Sequence, residues 1–177
     1  MDLAVIPECY VDTNLVETLV PPQRQYNHQK GCGTVTKVMK EKFTNSFAVG
    51  IIDKDKKEVE YLKEFTELAN SNGLILHKHK TRHHYIIQIV PGMERFIFNC
   101  LAAVGISPND FELPDDLELF RKESKTTNSK DDDRFRRLFK ALRNAGSEEI
   151  IRLLNLITYL KQRNYTAASN ELQMILS

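Results

Sequence analysis

The sequence lacks an excess of either charge, a paired set of cysteines and any apolar run long enough to cross a bilayer. Lys and Arg total 25 against 24 Asp and Glu, so any surface that binds anions must be local. The three cysteines, Cys9, Cys32 and Cys100, form no close pair and have no histidine at zinc-finger spacing, which favours reduced thiols. The N-terminus has no basic region followed by a long apolar run. We therefore expect a cytoplasmic protein with no membrane contact.

The pattern of apolar runs predicts an α/β fold. With 177 residues the chain can bury a core of its own. Short apolar runs alternate with stretches of helical periodicity, which is typical of layered α/β domains. We expect a small, mostly parallel sheet flanked by helices and followed by a helical appendage. The predicted strands are 6–11, 47–52, 74–76 and 84–90, and the predicted helices are 14–20, 35–43, 56–70 and 94–104.

The composition changes after Pro114. Residues 1–114 form the predicted α/β domain. Residues 115–133 are acidic and then rich in Ser, Thr, Lys and Asn, which predicts a short helix and a flexible linker. Residues 134–177 contain three stretches of helical periodicity, and the strongly apolar stretch 150–160 needs cover. This C-terminal helical segment therefore predicts a protein partner or a second copy of the chain.

Acidic residues follow the predicted strands. The first strand ends at Asp12, the central strand runs into Asp53 and Asp55, and Glu94 comes just after a later strand. The carboxyl ends of parallel strands meet at one crevice, so these side chains are expected to lie together. Carboxylates are the ligands that Mg²⁺ and Mn²⁺ prefer. Glu8 precedes Asp12 by four residues and points to the same side of an extended strand, which makes it a weaker candidate.

The order of these features resembles the Toprim fold. A strand, an acid and a helix are followed by the turn Gly31-Cys32-Gly33, a second helix and a hydrophobic strand closed by Asp-x-Asp. The nearest resemblance is to the Toprim-like nucleases of bacterial defence and ATPase-linked systems, including the overcoming-lysogenization-defect type. It covers about two-thirds of the chain. It implies that Asp12 matches the first acid, Asp53 and Asp55 the pair, and Glu94 the downstream Glu, all binding divalent metal.

This resemblance implies a metal-dependent nuclease that cleaves DNA or RNA, alone or with an ATPase partner. Mg²⁺ or Mn²⁺ would be the cofactor, and Lys54 or Lys56 would neutralise charge on the phosphate. The densest basic segment includes His79, Lys80 and Arg82. Local cationic patches of this kind supply non-specific nucleic-acid binding, although a solvated turn has the same composition.

One difference from the family supports an alternative function. Toprim nucleases usually have Glu followed by Gly at the first acid, where this chain has Asp12-Thr13. A shorter acid reaches less far, so the alternative is a non-catalytic Toprim-like subunit that binds a protein partner through its helical tail. Residues 11–14 also resemble the opening of PIN nuclease domains, but PIN domains place their later acids differently.

Overall fold

The computed structural model describes residues 1–54 and 59–177 and contains a five-stranded sheet with the order β1-β2-β5-β4-β3. Strands β1, β2 and β5 are parallel, whereas β4 is antiparallel to both β5 and β3. The α/β prediction is confirmed, with a sheet that is mixed because only its first half is parallel. The strands are β1 (Val5–Pro7), β2 (Ala48–Asp53), β3 (Phe65–Asn70), β4 (Leu74–His79) and β5 (His84–Ile89).

Seven α-helices surround the sheet in the described part of the chain. None of them is long and apolar enough to cross a membrane. The helices are α1 (Tyr10–Leu19), α2 (Cys32–Lys42), α3 (Met93–Val104), α4 (Leu117–Ser124), α5 (Asp133–Asn144), α6 (Glu148–Arg163) and α7 (Ser169–Leu176), and the short 3-10 turns are Asp2–Ala4, Glu60–Glu64, Pro108–Phe111, Thr127–Lys130 and Asn164–Thr166.

The sheet separates two hydrophobic cores, because strand side chains alternate between its faces. Helix α2 covers one face, where Val35 and Met39 contact β2. Gly50 permits this contact, since a Cβ atom there would lie 2.8 Å from Met39 Sδ and 3.0 Å from Val35 Cγ1. The larger core on the other face includes buried side chains from α1, α3, α4, α5, α6 and α7. Both faces are thus covered, as a sheet with parallel strands requires.

Two predicted elements are wrong in part. The strand predicted at 6–11 ends at Pro7, and α1 already begins at Tyr10. The helix predicted at 56–70 is instead the 3-10 turn Glu60–Glu64 followed by β3, and residues 55–58 lie outside the described residues. The helical spacing of apolar residues in 59–70 is overridden by pairing with β4, because each backbone group of β3 that pairs gains a hydrogen bond.

The segment 115–133 is packed on the rest of the chain. It contains α4 and the turn Thr127–Lys130, and Phe120, Ser124 and Ser129 are buried. Asn14 Nδ2 on α1 donates to the carbonyl oxygens of Ser129 at 2.8 Å and Asp132 at 3.1 Å. This brings the segment beside the first turns of α1 and α3. The division at 114 and 133 stays a prediction.

Candidate functional site

Four acidic residues converge at the carboxyl ends of the parallel strands. Glu8 follows β1, Asp12 lies in the first turn of α1, Asp53 ends β2 and Glu94 lies in the first turn of α3. Glu8 Oε2 accepts a hydrogen bond from Asp53 N at 3.0 Å. The negative charges of Glu8 and Glu94 act on both aspartates. We call these four residues the carboxylate cluster.

Protein donors hold two of the carboxylates in place. Asp53 Oδ1 accepts from Met93 N at 2.9 Å, which places its negative charge at the N-terminus of α3, where the helix dipole favours an anion. Glu94 Oε1 accepts from Ser124 Oγ at 2.7 Å, and Glu94 Oε2 lies 3.8 Å from Arg121 Nε. Helix α4 therefore supplies both groups that orient Glu94.

Asp12 is the most buried member of the carboxylate cluster, with 0 % of its surface exposed. Its Oδ1 accepts from Cys9 Sγ at 2.7 Å. Its Oδ2 is buried and has no hydrogen-bond partner among the described residues. We call this atom the orphaned oxygen. Burial of an ionised oxygen without a donor is costly, so a proton or a cation must relieve it.

Burial and mutual repulsion raise the pKa values of two carboxyl groups. Desolvation raises the pKa of Asp12 to about 7, against the hydrogen bond from Cys9, and the charges of Glu8 and Glu94 add to the rise. Desolvation also raises the pKa of Asp53 to about 8, and the negative charge of Asp12 is the second largest cause of this rise. Without a counter-ion, Asp12 and Asp53 therefore retain protons near neutral pH.

The donor chemistry of the carboxylate cluster fits a hard divalent cation. Carboxylate oxygens are the usual ligands of Mg²⁺ and Mn²⁺, and the orphaned oxygen needs a positive partner. Within residues 1–54 and 59–177, no three His, Cys, Asp or Glu side chains are arranged as a ready-made metal site. Asp55, the other half of the Asp-x-Asp pair, lies outside those residues. The fit thus rests on the chemistry of the donors.

The structure brings together three of the four predicted acids: Asp12, Asp53 and Glu94. The fourth, Asp55, lies outside the described residues, as does Lys56. Lys54 is exposed next to Asp53, and its backbone N donates to Ile89 O at 2.9 Å. Asp12 reaches the site from a helix instead of a strand end.

Glu8 joins the carboxylate cluster although the sequence ranks it as the weaker candidate. The early start of α1 explains its position, since Glu8 immediately follows the end of a parallel strand beside Asp53. Arg121 and Ser124 give no sequence signal, because they fall in a stretch whose composition predicts only a short helix and a flexible linker.

The predicted nucleic-acid contacts His79, Lys80 and Arg82 lie at the other end of the sheet. Strand β5 runs from His84 towards the carboxylate cluster, and its six residues span about 17 Å. His79 is buried, and its Nδ1 accepts from the backbone N of Thr81 at 3.1 Å and of Arg82 at 3.0 Å. Its ring therefore stabilises the turn between β4 and β5.

A second buried atom without a hydrogen-bond partner in the described ranges lies near the start of α1. The Thr13 hydroxyl donates to Cys9 O at 2.7 Å, so His28 Nδ1 must donate to Thr13 Oγ1 at 2.9 Å. His28 Nε2 is then an acceptor, and no donor among the described residues reaches it. Backbone bonds from Asn27 and Gln29 to β1 hold this histidine in place. Both unsatisfied atoms, Asp12 Oδ2 and His28 Nε2, thus belong to side chains that are linked to Cys9, directly or through Thr13.

Comparisons of the chain with protein-family models, with curated proteins and with solved structures found no match. Any function assigned to the chain therefore depends on its own residues and their arrangement.

Proposed function

We propose that the carboxylate cluster binds Mg²⁺ or Mn²⁺ and that the protein is a metal-dependent nuclease acting on DNA or RNA. The observation that carries this proposal is the orphaned oxygen of Asp12, buried beside three other acids at the strand ends where ligands of α/β proteins collect. The Toprim-like order of strand, acid, helix and Asp-x-Asp supports the same chemistry.

Asp12, Asp53 and Glu94 would hold the cation, together with the predicted ligand Asp55. When bound, such an ion activates water and stabilises the leaving oxygen of a phosphodiester. The other residues keep the ligands in position. Glu8 fixes the end of β2 through the backbone N of Asp53, which accords with the need to hold ligands rigidly.

Two cations near the carboxylate cluster are suited to the substrate phosphate. The Arg121 side chain contacts Glu94 and is 36 % exposed, so its guanidinium can meet a phosphate at the rim. Lys54 follows Asp53 directly and is exposed. Lys80 and Arg82 lie too far along the sheet to contact a phosphate held by the carboxylate cluster.

The competing function is a non-catalytic subunit that binds an ATPase or a second copy through its C-terminal helices. The raised pKa values of Asp12 and Asp53 favour it, because protonated carboxyl groups keep the fold intact without any metal. In that case the acids are structural and their replacement leaves every activity unchanged.

Nuclease assays separate the two functions. The protein is incubated with single- and double-stranded DNA and RNA in Mg²⁺ or Mn²⁺, beside the variants Asp53→Asn and Asp12→Asn. Lys80→Gln, at the far end of the sheet, is the matched control. Cleavage that is lost in both Asn variants and kept in the control supports the nuclease. Absence of cleavage by the folded native protein, together with no metal binding, would overturn it.

A further inference from the structure

A thiol lies inside the carboxylate cluster. Cys9 occupies the N-cap position of α1, one residue after Glu8 and one turn before Asp12. Its Sγ lies 2.7 Å from Asp12 Oδ1, and the negative charge of Asp53 also acts on it. Burial and these carboxylates raise the pKa of the Cys9 thiol, so in the metal-free protein the sulfur carries its proton and donates it to Asp12.

The surroundings of Asp12 indicate what the thiol does. This carboxylate is fully buried, one oxygen accepts from the Cys9 sulfur, and the other is the orphaned oxygen. A structural hydrogen bond would satisfy a carboxylate, whereas this contact leaves half of it unsatisfied. Sulfur and oxygen atoms 2.7 Å apart are close enough to contact one cation. The pair is therefore suited to a metal that accepts both kinds of ligand.

We propose that Cys9 is a metal ligand that sets the metal preference of the carboxylate cluster, favouring a thiophilic divalent ion such as Co²⁺ or Zn²⁺ over Mg²⁺. This inference rests on the proposed function, since it needs a metal in the same place. Sulfur ligands favour softer ions, whereas Mg²⁺ takes oxygen ligands. On binding, the S–H bond breaks, the proton leaves to solvent and the sulfur binds the ion as thiolate, with no change of oxidation state.

Co²⁺ is the probe, because a cobalt–thiolate bond gives a charge-transfer absorption that cobalt–carboxylate bonds lack. The native protein, Cys9→Ser, Cys9→Ala and the matched control Cys32→Ser are titrated with Co²⁺ and separately with Mg²⁺. Melting curves establish that each variant is folded. We expect the charge-transfer band in the native protein and in Cys32→Ser, and its loss in both Cys9 variants. Co²⁺ affinity should fall at least about tenfold in those variants, with Mg²⁺ affinity unchanged.

The possible results are distinct. Co²⁺ binding without a thiolate band overturns the role of Cys9 and leaves the proposed nuclease standing. A band that persists in both Cys9 variants assigns the sulfur to another cysteine and also overturns it. No binding of Co²⁺ or Mg²⁺ by the native protein removes the metal centre itself, and the proposed function fails with it.

Discussion

The two ends of the parallel strands bury polar groups in opposite ways. At the carboxyl end, the carboxylate cluster contains the orphaned oxygen. At the amino end, His79, His84 and Tyr61 are buried with their rings in mutual contact, and we call these three residues the histidine cluster. Each ring nitrogen of these two histidines has a partner: His84 Nδ1 contacts Tyr61 Oη at 2.7 Å, and its Nε2 contacts Phe43 O at 2.8 Å.

Whether a buried polar group has a hydrogen-bond partner helps to distinguish a structural role from a ligand-binding role. Buried polar groups that are fully paired specify a fold, as the histidine cluster does for the β4–β5 turn and for the entry to β2. Buried groups left unpaired cost stability, and a native chain keeps them where a ligand completes them. Counting charges along the sequence favours the basic turn as a site, whereas the hydrogen bonds favour the acidic end.

The largest expected effect is on the histidine cluster. His84→Ala removes three hydrogen bonds, to the buried Tyr61 hydroxyl and to the partly buried carbonyl oxygens of Phe43 and Ser46. Each lost hydrogen bond costs about 1 kcal/mol, so the free energy of unfolding should fall by about 3 kcal/mol. Urea denaturation measures it, with the exposed neighbour His83→Ala as control. Equal loss in both variants would contradict the comparison.

In the carboxylate cluster we expect a substitution to raise the free energy of unfolding instead of lowering it. Asp53→Asn should stabilise the metal-free protein at pH 8, because it removes the charge of a partly buried carboxyl group whose pKa is raised to about 8. We expect a gain of about 2 kcal/mol, or a rise in Tm of about 4 to 8 °C in EDTA. Asp110→Asn, at an exposed position, is the control and should change nothing. Destabilisation by Asp53→Asn would show that the carboxylate is structural.

The two ends should give the metal-free protein a bell-shaped dependence of Tm on pH. The pKa values of Asp12 and Asp53 are raised on folding, so their stabilisation is full near pH 4 and is lost as pH rises towards 8. Burial lowers the pKa values of His79 and His84. The stability that the two neutral histidines contribute is therefore lost as pH falls below 6.5. Calorimetry in EDTA should find the maximum between about pH 4 and 6.5.

Saturating Mn²⁺ should remove the alkaline decline, since the cation replaces the protons of the carboxylate cluster. At 100 times Kd the gain is about 2.7 kcal/mol. The same pH series in Mn²⁺ tests this. A decline that persists in saturating metal would mean that the cation binds elsewhere.

A smaller effect is expected where α4 meets Glu94. Ser124→Ala removes the 2.7 Å hydrogen bond to Glu94 and should cost about 1 kcal/mol of stability and about tenfold in metal affinity. Thr126→Ala, whose hydroxyl bonds only an exposed carbonyl in the same turn, controls for changes to the segment. Calorimetry and metal titration measure the two losses. Equal metal affinity in both variants would separate Glu94 from the metal.

The smallest effect is expected at the basic turn. Lys80→Gln with Arg82→Gln should change the free energy of unfolding by no more than about 0.5 kcal/mol and leave cleavage unchanged. Lys54→Gln, beside the carboxylate cluster, should weaken nucleic-acid binding. Nucleic-acid binding titrations at two salt concentrations compare the double variant at the turn with Lys54→Gln. If the pair at the turn weakens binding more than Lys54→Gln, the substrate extends across the sheet.

Apolar periodicity was enough to predict the α/β class, the β4–β5 hairpin and helices α2 and α3. The prediction failed at 59–70, where apolar spacing suits a helix but β3 pairs with β4. Local spacing cannot report which segment finds a strand partner, because that pairing is settled by the rest of the fold.

The acids were predictable from their places after strands, since Asp53 and Glu94 do lie at one edge of the sheet. The residues that hold these acids in place could not be predicted. Ser124 and Arg121 come from a stretch that predicts only a short helix and a linker, and their approach to Glu94 depends on how α4 packs. The buried state of His79 was equally hidden, because a charged turn and a hydrogen-bonded one have the same composition.

The hydrogen bonds from Asn14 to the carbonyl oxygens of Ser129 and Asp132 bear on how the protein can be shortened. A chain cut at residue 114 would retain every predicted carboxylate. It would also expose the α1 surface that the later segment covers, and it would leave Glu94 without Ser124. Such a fragment has the right residues for a metal centre and the wrong surroundings. A minimal version of this protein therefore has to extend through α5.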